Sequence, residues 1–125
     1  MVALGVIASL IPAMTLQAAS AFQFDVWMRA IDKRSVSVQR CIAARDVPAA
    51  NADAAELERL YGLMERYFAE DYPADDAVKV SHDGRTQAAS IPVSMALGDF
   101  DAAARSARAI ASACNDCHDP YKPFR

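Results

Sequence analysis

Apolar residues recur every three or four positions along most of the chain, which is the spacing of helices that bury one face. The first such segment extends from about Phe22 to Arg45, with apolar positions at Phe24, Trp27, Met28, Ile31, Val38, Cys41 and Ile42. The second segment, NADAAELERLYGLMERYFAED, has them at Leu57, Leu60, Tyr61, Met64, Tyr67 and Phe68. Nowhere does the sequence show the strict alternation of a strand. The pattern therefore predicts an all-α protein.

The limits of the second helix are predicted from its caps and breakers. The Asp-Val-Pro segment at 46–48 is expected to separate the first two helices. Asn51 or Asp53 then supplies a side-chain oxygen for the free amides of the first turn, and Glu56 stands at capping-box spacing from Asp53. The Tyr-Pro pair at 72–73 is expected to end this helix.

The segment that follows, residues 74–97, has a helical composition interrupted by Gly84 and Pro92. A proline inside a helix removes one backbone hydrogen bond and kinks the helix. We therefore expect a loop as far as Gly84 and a short, bent third helix after it. Gly98 suits the left-handed position that follows a helix end.

A fourth helix, DFDAAARSARAIASACNDCH, is predicted to start at a cap formed by Asp99 or Asp101 and to end at Pro120. Four amphipathic helices with short connections predict an antiparallel four-helix bundle.

Composition narrows the function classes. The chain of 125 residues fits one domain, and its net charge of −3 provides no basic surplus for binding nucleic acid. The sequence contains no Ser/His/Asp arrangement, no glycine loop for phosphates and no matched pair of carboxylates. Enzyme activity is therefore not expected.

The first residues, MVALGVIASLIPAMTLQAASAF, carry no charged side chain. The apolar run from Val2 to Met14 is too short to span a membrane, and Ala19-Ser20-Ala21 has the small-x-small pattern of a signal-peptidase site. This predicts a secretory signal over residues 1–21, a mature domain over 22–125 and a location in a bacterial periplasm. An N-terminal helix docked on the core and an uncleaved anchor are the alternatives.

Cys114, Cys117 and His118 stand together near the C-terminal end of the last predicted helix. Their i, i+3, i+4 spacing places all three on one helix face. It also suits a c-type haem, in which each thiol adds to one vinyl group and the adjacent imidazole reaches the iron.

Two other uses of this motif stay open. A redox dithiol prefers the start of a helix after a strand, where the helix dipole lowers the thiol pKa, whereas these cysteines lie near a helix end. A structural zinc site needs four ligands, and only Cys41 and His82 remain to complete it. We instead expect Cys41 to be a buried free thiol on an apolar stripe and His82 to lie exposed in a polar loop.

The C-terminal segment GDFDAAARSARAIASACNDCHDPYK resembles the cytochrome c′ family, the class II c-type cytochromes. It shares with that family a Gly-Asp turn, a last helix, the Cys-x-x-Cys-His motif and an aromatic residue, Tyr121, three positions after the histidine. Lys122 stands where an arginine is common. The resemblance implies a left-handed four-helix bundle holding one covalent haem c, with Cys114 and Cys117 as thioether links and His118 as the proximal iron ligand.

The first helix supplies the distal side of the haem in that family, and here it carries Met28. A methionine ligand implies a periplasmic electron carrier with redox protein partners, whereas an open distal face implies binding of nitric oxide or carbon monoxide. Simple core filling is the alternative role for Met28, because methionine commonly fills apolar cores. Members of that family often form homodimers through their first helices, and the sequence leaves open whether this chain does so.

Overall fold

A computed structural model of the chain describes residues 20–121, together with Gly5 and Ala8, and describes side chains as far as Asn115. Its helices are α1 (Ala21–Ala43), α2 (Val47–Arg66), α3 (Asp75–Ala96) and α4 (Phe100–Tyr121), and a π-helical turn, Tyr67–Asp71, extends α2. No strand occurs in this part of the chain, so the predicted all-α class is confirmed. The predicted signal segment lies outside the described residues, apart from its last two positions and the two isolated ones.

The four helices pack against one another in chain order, and α4 also packs on α1. Contacts at both ends show the direction of α1 relative to its neighbours. Phe24, near the start of α1, stacks on Tyr67 just beyond α2, with ring centroids 4.7 Å apart. Arg45, just after α1, lies over the ring of Phe100 at the start of α4. The arrangement is consistent with the predicted four-helix bundle.

Helix α1 begins with a capping box in which Ser20 and Gln23 exchange hydrogen bonds at 3.1 and 3.0 Å. Its buried residues follow a four-three-four spacing and are Ile31, Ser35, Val38 and Ile42. This spacing keeps one narrow stripe facing the other helices, as in coiled-coil-like packing.

The predicted start of α2 is wrong. The helix begins at Val47, because Asp46 caps it and Pro48 is tolerated in a first turn, where its missing amide would have no helical partner. Asp53 is therefore an interior residue and no cap, and its carboxylate is buried.

The prediction for the third helix is also wrong. Residues 75–96 form one helix that includes both Gly84 and Pro92, with no loop before Gly84. Gly84 has a packing role here, because a Cβ at this position would lie 2.5 Å from Cε1 of Tyr61. The glycine lets the ring of Tyr61 lie directly against the backbone of α3. Pro92 lies close to the end of the helix, where a missing hydrogen bond disturbs few residues.

Two matching turns close one end of the bundle. The amides of Arg45 and Asp46 donate to carbonyls in the last turn of α1 at 3.0 and 2.9 Å, and those of Gly98 and Asp99 do the same in α3 at 3.1 and 2.9 Å. These are Schellman turns, with φ of 54° at Arg45 and 70° at Gly98. Asp46 and Asp99 each then cap the next helix. The predictions for Gly98 and Asp99 are confirmed.

A buried carboxylate joins α1 to α2. One oxygen of Asp53 accepts a hydrogen bond from Arg34 at 2.7 Å, and the other accepts from Ser37 at 2.5 Å and from the thiol of Cys41 at 3.6 Å. Burial would raise the pKa of Asp53, but these hydrogen bonds outweigh it and hold the pKa below its usual value. Cys41 is a free, half-buried thiol that packs against the core, as predicted for its apolar stripe, and it also donates to this polar cluster.

Replacement of the two helical glycines tests the packing of Tyr61. Gly84→Ala should lower the free energy of unfolding by about 1–3 kcal/mol, because its methyl group would overlap the Tyr61 ring. Gly62→Ala is the matched control: its methyl would approach only Arg85 Cδ, at 3.8 Å, and should stabilise α2 by up to about 1 kcal/mol. Denaturant titration measures both changes, and equal effects would contradict the close approach.

Replacement of the buried carboxylate tests the α1–α2 link. Because the folded pKa of Asp53 is lowered, its stabilisation is complete above the unfolded pKa of about 4 and is lost as the pH falls through the folded pKa. Asp53→Asn should therefore be less stable than the wild type at neutral pH, and the difference should shrink in acid. Thermal melts across that range measure it. Asp25→Asn removes a carboxylate from an exposed ion pair and should change little.

Candidate functional site

The inward face of α4 carries Cys114. Ala103, Ala107 and Ile110 are fully buried on this helix at spacings of four and three. Cys114 is the next position of the same repeat, and its side chain is half-buried. The apolar stripe that packs α4 into the bundle therefore leads directly to the first cysteine of the motif.

The neighbours of Cys114 keep it in the thiol form. Burial raises its pKa, and so does the negative charge of Asp32 on α1. Hydrogen bonds from the hydroxyl of Tyr61 on α2 and from the backbone offset only part of this rise. The sulfur also lies 3.6 Å from the carbonyl oxygen of Ile110. A raised pKa is the opposite of what an activated redox thiol needs.

Tyr61 connects three helices at this level. Its ring is buried against Gly84 of α3 while its hydroxyl reaches Cys114 of α4. With Asp32 of α1 nearby, α1 and α2 each contribute one residue to the surroundings of the thiol, and α3 contributes indirectly by holding the ring of Tyr61. Sequence reasoning placed Tyr61 only on the apolar stripe of α2. A buried tyrosine hydroxyl usually needs a hydrogen-bond partner. A tyrosine within an apolar stripe therefore indicated that Tyr61 makes a polar contact with another helix.

The backbone of α4 continues as a helix through the rest of the motif, to Tyr121. Positions 117 and 118 therefore fall one turn beyond position 114 and on the same side of the helix. The side chains of Cys117 and His118 lie outside the described residues. Their assignment as thioether link and iron ligand stays a prediction.

Met28 lies on the inward side of α1. It stands three positions before Ile31 and continues the buried stripe of that helix, and it packs half-buried against the core. Arg29 instead faces solvent and pairs with Asp25 at 2.7 Å. Trp27 is half-buried at the edge of the stripe, edge-on to the ring of Tyr67.

Met28 and the end of the motif lie at the same height in the bundle. Asp32 of α1 is close enough to Cys114 of α4 to affect its pKa, and these two helices run in opposite directions. One turn back along α1, about 5 Å, reaches Met28, and one turn forward along α4 reaches positions 117 and 118. Sequence reasoning selected these residues without knowing that the fold places them at one level.

The other sequence candidates lie elsewhere. His82 is exposed, as predicted, but it lies on α3 instead of in a loop, 3.3 Å from a carboxylate oxygen of Glu65. Met64 and Met95 are core residues. Among the side chains described as far as Asn115, no three His, Cys, Asp or Glu residues converge as a metal site. No helix of the described part is long and apolar enough to cross a membrane.

No family model, curated protein or solved structure matches the chain.

Proposed function

We propose that this protein is an exported monohaem c-type cytochrome, similar to the cytochrome c′ family, that carries single electrons between redox protein partners in a bacterial periplasm. The observation that carries the proposal is the place of Cys114 on the inward stripe of α4, with positions 117 and 118 one turn further along the same helix. A left-handed antiparallel bundle around the haem is part of the proposal.

The residues fit a covalent haem c in three respects. Cys114 presents a half-buried thiol on the bundle side of α4, which suits a thioether link to a buried group. Cys117 and His118 follow at the spacing that a second thioether and a proximal imidazole require. Met28 offers a half-buried thioether from the opposing helix at the same height.

When bound, the haem would supply an iron that alternates between ferric and ferrous states. The chain's own residues would hold it in place: Cys114 and Cys117 would form the thioether bonds, and His118 and Met28 would be the iron ligands. The buried side chains of Ile31 and Met64 lie on the inward faces of α1 and α2 and keep water from this level of the bundle.

The exposed face of α1 supports the proposed homodimer. Phe22, Val26 and Val36 are large apolar side chains that lie exposed on this helix. Pairing of two copies through their first helices would cover them, which gives an apolar contribution to association.

A gas-binding function is the second candidate, and it depends on Met28 alone. Met28 packs against the core of the described chain, and a methionine that kept those contacts would leave the sixth position of the iron open to nitric oxide or carbon monoxide. The two functions therefore predict opposite responses of the absorption spectrum to carbon monoxide. A haem-free dithiol finds no support in the raised pKa of Cys114.

Covalent attachment is tested by mass. The purified protein should retain the mass of one haem after acid denaturation, because thioether bonds survive unfolding. The double variant Cys114→Ser/Cys117→Ser should lose it completely. Cys41→Ser is the matched control, since this cysteine lies in the polar cluster with Asp53, and the variant should keep the full haem mass. A wild-type chain without added mass, expressed with the c-type haem attachment machinery, would refute the proposal.

The distal ligand is tested by absorption spectra of the reduced protein. The wild type should give a sharp low-spin α band that carbon monoxide leaves unchanged, and Met28→Ala should give a broad high-spin spectrum that shifts with carbon monoxide. Met95→Leu is the control, because it changes a methionine that is buried in the core near the end of α3, at the opposite end of the bundle from the motif. A wild-type spectrum that already shifts with carbon monoxide would favour the gas-binding function.

A further inference from the structure

A cleft lies between the end of α1 and the start of α4, at the end of the bundle opposite to the Cys-x-x-Cys-His motif. Its volume is about 320 Å³, which lies at the lower end of the range for small-molecule sites. We propose that this cleft binds a small organic monocarboxylate with an apolar or aromatic body. The proposal does not depend on the haem, because no residue of the motif lines the cleft.

The cleft carries two cationic groups that form no ion pair with another described residue. Arg45 lines it from the turn after α1, and Arg108 lines it from α4. Among the described residues, neither arginine forms an ion pair, which is also true of Arg40, Arg66 and Arg105, so both guanidinium groups are available to a ligand. A guanidinium group binds a carboxylate through two parallel hydrogen bonds. The chain thus leaves two matching donors at one opening.

The remaining wall of the cleft suits an apolar body. Ile42, Ala104 and the ring of Phe100 line it beside the two arginines. The guanidinium carbon of Arg45 lies 4.9 Å from the centre of the Phe100 ring, which fixes the charge directly above the aromatic surface. A ligand can therefore place its carboxylate at the arginine and its apolar part against the ring.

The backbone at Arg45 indicates that its side chain has a use. Arg45 has φ of 54°, a conformation that costs a residue with a side chain roughly 1–2 kcal/mol. The equivalent turn after α3 has Gly98 in the same position, at φ of 70°. Glycine would therefore form the α1 turn at less cost. In this strained position the side chain of Arg45 covers Phe100 and lines the cleft.

The charges of the cleft favour a singly charged ligand. Arg45 and Arg108 are positive and Asp101, on the same lining, is negative, so the three groups carry a net charge of +1. A monocarboxylate neutralises this charge. A phosphate dianion would leave an excess negative charge next to Asp101.

The probe for the test is para-fluorophenylacetate, titrated into the full-length protein and followed by fluorine NMR. The wild type should bind it saturably and should not bind the neutral para-fluorophenylacetamide. Arg45→Gly and Arg108→Gln should each weaken binding by about tenfold or more, because each removes a charged hydrogen-bond donor. Circular dichroism establishes that each variant is folded, and Gly98 shows that glycine fits the turn.

Arg105→Gln is the matched control. Arg105 is an exposed arginine on α4, the helix that carries Arg108, but it does not line the cleft. It should bind the probe within about twofold of the wild type, since an exposed charge outside the cleft contributes little. An equal loss in Arg105→Gln, equal binding of the amide, tighter binding of phenyl phosphate or an absence of saturable binding would each overturn the proposal.

Discussion

The narrow inward face of α4 is the constraint on which the rest of the structure depends. Ala103, Ala107 and Ile110 are fully buried along it, two small side chains followed by one large one. A helix that must bury such a stripe has no freedom to rotate, because a rotation would expose it and bury charged residues instead. The orientation of Cys114 follows from this packing. Unreactive apolar residues of α4 therefore determine where the Cys-x-x-Cys-His motif lies.

Buried polar groups link the helices around this stripe. Asp53 joins α2 to α1 through Arg34 and Ser37, and Tyr61 joins α2 to α4 through Cys114. An apolar stripe alone permits small shifts along the helix axis, whereas a buried carboxylate or hydroxyl must find its partners or lose much free energy. These contacts therefore fix the heights of the helices relative to one another. The shared height of Met28 and the motif depends on that register.

The two ends of the bundle differ in character. The end with the motif contains the start of α1, the π-helical turn and the aromatic residues Phe24, Tyr67 and Phe68, which contact one another. The opposite end contains two Schellman turns and the cleft with Arg45 and Arg108. The proposed haem and the proposed carboxylate ligand would therefore share no residue.

The sequence by itself determined the helical class and the extent of α1, because these depend on periodicity and on local breakers. The haem roles of Cys114 and Met28 rest on motif spacing and on the family resemblance, and they stay predictions. It misplaced the start of α2 and divided α3 at Gly84, since a glycine and a proline normally interrupt helices. Only the tertiary structure decided that Gly84 serves the ring of Tyr61, that Asp53 is buried with Arg34 and that Asp32 lies near Cys114. Each of these is a contact between two helices. The hydrophobic pattern of one helix shows which of its residues face inward, but it does not show which residues of another helix they will contact.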